Sequence, residues 1–194
     1  MNGTYLLFLI YSGFTMNLVL QCALGIKGVA ESKVPINILT FLKSCLIFIT
    51  VVLLWLFFSR VISSVLSGIF IYVLIFPVSA CFYTGFEYLI FKYILRKDIQ
   101  DESIITFPTG ITAAAVFISV ILAGSFLEAV VLSFGFSSGI FIVNLIIREI
   151  RKRAALEAVP LFMRGKPLVL AAMGLLSLIF TSASLLIFKM IDAL

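Results

Sequence analysis

Apolar residues run along this chain in long blocks separated by short polar stretches. Six blocks stand out: Tyr5–Leu24, Ile38–Phe58, Val65–Phe91, Ile104–Ala123, Leu127–Ile147 and Leu168–Phe188. Each matches the ~20 residues that an α-helix needs to cross the hydrocarbon core of a bilayer. Transmembrane strands are about half that length and alternate in polarity, whereas a stretch such as Leu46–Phe58 is apolar on every side. The pattern predicts an all-α integral membrane protein, a single domain over residues 1–194 with six transmembrane helices.

Composition sharpens this picture. The chain is 63% hydrophobic and 12% charged, with a mean hydropathy of +1.27, where a soluble domain is about 45–50% apolar and about 25% charged. A water-soluble fold is excluded. Six spans take roughly 120 residues, so the connections are expected to be short. Met1–Tyr5 has no Lys or Arg, and a signal peptide needs a basic n-region, so the first block is expected to persist in the mature protein. The 194 residues include no histidine, which removes imidazole metal ligands and a histidine general base. Any redox centre in this chain would rest on its three cysteines.

Charge sets the expected orientation. Of the fourteen basic residues, twelve fall in or beside the odd-numbered connections: Lys27, Lys33 and Lys43; Lys92, Arg96 and Lys97; Arg148, Arg151, Lys152, Arg153, Arg164 and Lys166. Only Arg60 and Lys189 lie on the other side. The positive-inside rule then makes those connections cytoplasmic and leaves both termini outside. The net charge of +5 follows from topology and gives no reason to expect nucleic acid as a partner.

With three spans per half, an internal duplication would have to be inverted in the membrane, and such folds often carry interrupted helices at matching positions. The first span holds Ser12, Gly13, Thr15, Asn17 and Gln21 before Gly25, and the fourth opens with Pro108, Thr109, Gly110 and Thr112. These two helices are the expected interrupted pair of two inverted three-helix repeats. The alternative is that such small residues simply let helices approach closely.

A family resemblance enters in the last third. Arg148–Glu149, then Val159-Pro160-Leu161-Phe162-Met163-Arg164-Gly165, then Leu170-Ala171-Ala172-Met173-Gly174-Leu175-Leu176-Ser177-Leu178-Ile179-Phe180 resembles the closing segment of the six-helix integral subunits of the Rnf and Nqr complexes. The likeness is greatest to the RnfA/NqrE type and extends to the related RnfE/NqrD type. Asn17-Leu18-Val19-Leu20 with Leu24-Gly25, and Phe86-Glu87, add to it. The resemblance implies membership of an ion-translocating electron-transport complex in a bacterial or archaeal cytoplasmic (inner) membrane. It implies pairing with a six-helix subunit of opposite topology or a second copy, and no catalysis by this chain alone. Iron–sulfur and flavin cofactors would sit in partner subunits.

In that family, cysteines from helices one and four hold a two-iron, two-sulfur cluster through thiolate ligation. Here the family's L-G-[IL]-C reads Leu24-Gly25-Ile26-Lys27, and its T-N-C-A falls near Thr112, Ala113 and Ala114, so no ligand carries over. Cys22 lies five residues before Lys27, about 500° around an ideal helix and about 7.5 Å along its axis, and is a weak substitute. Cys45 and Cys81 are expected to pack as small hydrophobes, and no C-x-x-C spacing exists. Asn17, Gln21, Glu87 and Asn144 are the candidates for an ion path or for interhelical hydrogen bonds. Glu87 is expected to pair with Lys92, Glu128 to lie solvated in the connection after the fourth span, and Arg148–Arg153 to anchor the topology against anionic lipid. A divergent, non-redox relative acting as a small transporter or structural partner is the second reading of the same residues.

Overall fold

The computed structural model describes residues 2–22, 38–64, 69–90, 92, 107–156, 160 and 165–192. The described residues form helices and turns without a strand. Helix α1 (Asn2–Ile10) continues as a π-helical segment (Tyr11–Thr15), followed by α2 (Ile38–Ser64), α3 (Ile69–Ile90), α4 (Phe107–Leu122), α5 (Phe126–Leu156) and α6 (Lys166–Asp192). Phe41–Arg60, Phe126–Ala154 and Pro167–Lys189 are long and apolar enough to cross a membrane, and Tyr5–Thr15, Val73–Leu89 and Gly110–Leu122 are shorter apolar helices. All-α architecture of membrane type is therefore what these sequences build.

Helices α5 and α2 form the centre, with α3 and α4 packed on one side and helix one on the other. The buried stripe of α5 runs Ala129, Leu132, Phe136, Ile140, Val143 and Ile147, a three-and-four spacing that keeps one face inward. It meets Val51, Leu54 and Phe58 of α2 and Ile111, Ala115 and Val116 of α4 in one core. Ser137 Oγ donates to the Ser44 carbonyl at 2.6 Å and ties α5 to α2. Outside this core the surface is dominated by large apolar side chains such as Val73, Phe76, Leu175 and Leu178, the inverse of a soluble protein's exterior and suited to lipid. Helix α6 is the loosest member: 17% of its membrane-crossing window is buried, against 44% and 50% for α2 and α5.

Three expectations change. The fourth helix is not interrupted over its described residues: α4 is continuous from Phe107 to Leu122. Pro108 falls in its first turn, where an absent N–H breaks no helical bond. Proline does occur inside a helix at Pro77 of α3, which continues through it. The fifth helix outlasts its apolar run, reaching Leu156, because Arg, Lys, Glu, Ala and Leu are good helix formers and Glu149 and Arg153 pair across one turn at 3.1 Å. Glu128 sits in the first turn of α5 rather than in a loop. Its Oε2 accepts from the Gly124 and Ser125 amides at 2.8 and 3.3 Å, while Ser125 Oγ accepts from the Glu128 amide at 3.4 Å. This is a reciprocal capping box, which satisfies backbone donors at the start of the helix.

Candidate functional site

The first helix leaves α-geometry where its polar residues begin. Tyr11–Thr15 is π-helical, closed by the Met16 amide donating to the Tyr11 carbonyl at 2.7 Å. Asn17 then resolves the break. Its Nδ2 donates to the Gly13 carbonyl at 3.1 Å, and its Oδ1 accepts from the Val19 and Leu20 amides at 3.2 and 3.3 Å. One buried carboxamide thus serves the carbonyl before the break and two amides after it, which is what backbone groups shielded from water require. Thr15 Oγ1 beside it has no hydrogen-bond partner among the described residues.

The break rests on a seat in α5 that the sequence spells as Gly135-x-x-x-Gly139. A Cβ on Gly139 would come within 2.6 Å of the Gly13 carbonyl and 2.9 Å of Asn17 Nδ2, and one on Gly135 would overlap Ser12 Oγ. Small residues on both helices therefore let the two backbones touch. The motif was visible in the sequence, as two glycines four apart inside an apolar block, but went unread there.

Beyond the break, Gln21 reaches α6, its Nε2 donating to Thr181 Oγ1 at 2.6 Å and to the Ser177 carbonyl at 3.3 Å. Phe14 and Phe180 pack alongside with ring centroids 5.2 Å apart. Asn17 and Thr112 are buried within the chain, so these polar groups of spans one and four do not by themselves call for a partner subunit.

A second polar feature joins α2 and α3. Glu87 is 3% exposed and pairs with Lys43, Nζ to Oε1, at 3.2 Å. Neither carboxylate oxygen accepts a well-aligned hydrogen bond among the described residues, and the same holds for the hydroxyl of buried Tyr83 one turn earlier. The expected Glu87–Lys92 pair does not form. Lys92 lies past the end of α3, and its ammonium lies over the Tyr88 ring, 5.4 Å from its centroid.

The remaining candidates are dispersed. Lys27, at the family's ligand position, lies outside the described residues. Thr112 and Ala113 are buried and Ala114 is half-buried, and none offers a thiolate. Cys22 and Cys81 are exposed and Cys45 half-buried, so Cys81 faces outward instead of filling the core. No group of three metal-ligating side chains occurs among the described residues. Among the described residues, the three cysteines do not come together as the ligand set that a two-iron, two-sulfur cluster needs. Asn144 is half-buried on α5 and makes no side-chain hydrogen bond with a described residue. No family model and no curated protein matches this chain.

Proposed function

We propose that the chain is an integral subunit of an Rnf/Nqr-type ion-translocating electron-transport complex, contributing scaffold and an ion-handling carboxylate while partner subunits hold the iron–sulfur and flavin groups. In this reading six spans form two inverted halves in a cytoplasmic membrane with both termini outside. The chain pairs with a six-helix subunit of opposite topology or with a second copy.

The observation that carries the reading is Glu87. An acid buried in a membrane helix is costly, and such residues mark ion or proton paths. Among the described residues its one counter-charge comes from Lys43 on another helix, without directed hydrogen bonds on the carboxylate. A proton or small cation arriving at Glu87 can therefore replace the ammonium without dismantling a hydrogen-bond network. The break in helix one supports the same reading, since interrupted helices recur at the ion sites of inverted-repeat folds.

Lys27 and Thr112–Ala114 in place of the family's cysteines favour a second reading, a divergent non-redox relative serving as transporter or structural partner. Affinity purification at native expression separates the two. Co-purification of a second six-helix protein with flavin- and iron–sulfur-bearing subunits is the expected result, and a well-behaved monomer alone would overturn the proposal. In the complex, Glu87→Gln should lower ion uptake into proteoliposomes about tenfold or more at unchanged subunit content. Phosphatase activity of a reporter fused after Leu194 is expected from the orientation.

A further inference from the structure

Helix α5 is longer than a bilayer needs. Its 31 residues reach about 46 Å at 1.5 Å each, against a hydrocarbon core of about 30 Å. Measured from Phe126, where the capping box ends the preceding turn, Asn144 lies at about 27 Å, Arg148 at about 33 Å and Lys152 at about 39 Å. The three therefore climb from the edge of the hydrocarbon through the headgroup layer. Spaced four apart, they form one stripe that drifts by about 40° per step. One turn below Asn144, Phe141 packs edge-on against Phe41 of α2 with centroids 6.0 Å apart, so the stripe opens beside the start of that helix.

The partners of these groups distinguish them from the neighbouring charges. Arg153 is neutralised by Glu149 at 3.1 Å and lies about 140° around the helix from Arg148. Arg148 and Lys152 have no ion-pair partner among the described residues, and Asn144 has no hydrogen bond there. We infer that Asn144, Arg148 and Lys152 bind an anionic phospholipid, the two cations taking its phosphodiester and the carboxamide donating to the ester carbonyl beneath. Charge complementarity selects the headgroup, because a guanidinium presents paired donors matched to phosphate oxygens and basic side chains at this depth attract anionic lipid. The amide at the hydrocarbon edge adds a contact that diffuse surface attraction does not use.

The inference rests on α5 crossing a bilayer and is independent of membership in an electron-transport complex, so its failure leaves that proposal standing. It is tested on the purified full chain in neutral detergent by native mass spectrometry, with equimolar phosphatidylglycerol and phosphatidylcholine of identical acyl chains. Wild type should retain phosphatidylglycerol preferentially. Arg148→Gln and Lys152→Gln should each lower that retention about fivefold, while Arg153→Gln, which removes the same charge, stays within about twofold. Asn144→Leu should lower retention with the charge unchanged. Excess glycerol 3-phosphate should not displace the lipid; displacement would assign the stripe to soluble phosphate esters and overturn the inference. Equal retention of both lipids, or equal losses from Arg148→Gln and Arg153→Gln, would also overturn it, the latter by reducing the effect to net charge. Lys152 is exposed at the far end of the helix, so its variant carries the test if Arg148→Gln does not fold.

Discussion

Gly135 and Gly139 offer the sharpest test of how helix one is seated. A Cβ placed on Gly135 would overlap Ser12 Oγ and stand 2.9 Å from Ser12 Cβ and 3.1 Å from the Leu9 carbonyl, whereas carbon contacts relax near 3.5–4.0 Å. Helix one must retreat, or Ser12 must turn and give up its bonds to the Phe8 and Leu9 carbonyls at 2.8 and 3.3 Å. Overpacking of this kind costs about 1–3 kcal/mol. At Gly139 the obstacles are the Gly13 carbonyl at 2.6 Å and Gly13 Cα at 3.2 Å, backbone atoms that no rotamer change moves, so Gly139→Ala belongs at about 3 kcal/mol, the upper end of that range. The difference in obstacle predicts a difference in rescue. Ser12→Gly removes the two nearest atoms that block position 135, Ser12 Oγ and Cβ, leaving only the Leu9 carbonyl, and none that block 139. Its coupling with Gly135→Ala should recover about 1 kcal/mol or more, and its coupling with Gly139→Ala should be near zero. Unfolding titrations of the three single and two double variants in mixed micelles give these energies. Rescue at both positions, or an unperturbed Gly139→Ala protein, would show that helix one does not lie on this seat.

Asn17→Ala leaves the Val19 and Leu20 amides and the Gly13 carbonyl unsatisfied, each worth about 1–3 kcal/mol when buried; thermal unfolding in detergent should register a large loss, with Asn17→Asp intermediate because it keeps the acceptor. Gln21→Ala and Thr181→Val should each cost about 1 kcal/mol by the same assay and be strongly non-additive, since both remove the short Gln21–Thr181 hydrogen bond. Lys43→Met should cost about 3–5 kcal/mol by stranding Glu87, and the double variant Lys43→Met/Glu87→Met should restore most of it; a double variant no better than the single would refute the pair. Iron and acid-labile sulfide in the purified chain should stay at background, because its three cysteines stand on separate segments; stoichiometric iron lost in Cys22→Ser would make Cys22 a ligand.

Helix existence was legible because a span must be apolar over its whole length, and α2, α3, α4 and α6 each cover most of their block, while helix one stops short of its block and α5 outlasts its own. The departure of helix one from α-geometry at Tyr11 was legible for the opposite reason, since Ser12, Asn17 and Gln21 have no place in a lipid-facing helix unless the backbone uses them. The same logic misread helix four, where Pro108 sits in the first turn and breaks nothing. The capping box Ser125-x-x-Glu128 and the seat Gly135-x-x-x-Gly139 carry local signatures and could have been read from spacing alone. The partner of Glu87 could not: Lys43 lies on a different helix, and only packing decides which of several nearby cations an acid meets.

Gln21 and Thr181 close a contact across 160 positions. In a chain inserted as it is synthesised, that contact waits until α6 has entered the membrane. Until then the polar end of helix one must hold its geometry on the Asn17 cap and the α5 seat, and α6 arrives with little other surface to grip. The amide of Gln21 therefore works as a late latch: the order of synthesis makes helix one the receptor and α6 the guest, and release of α6 is the first opening this bundle should undergo.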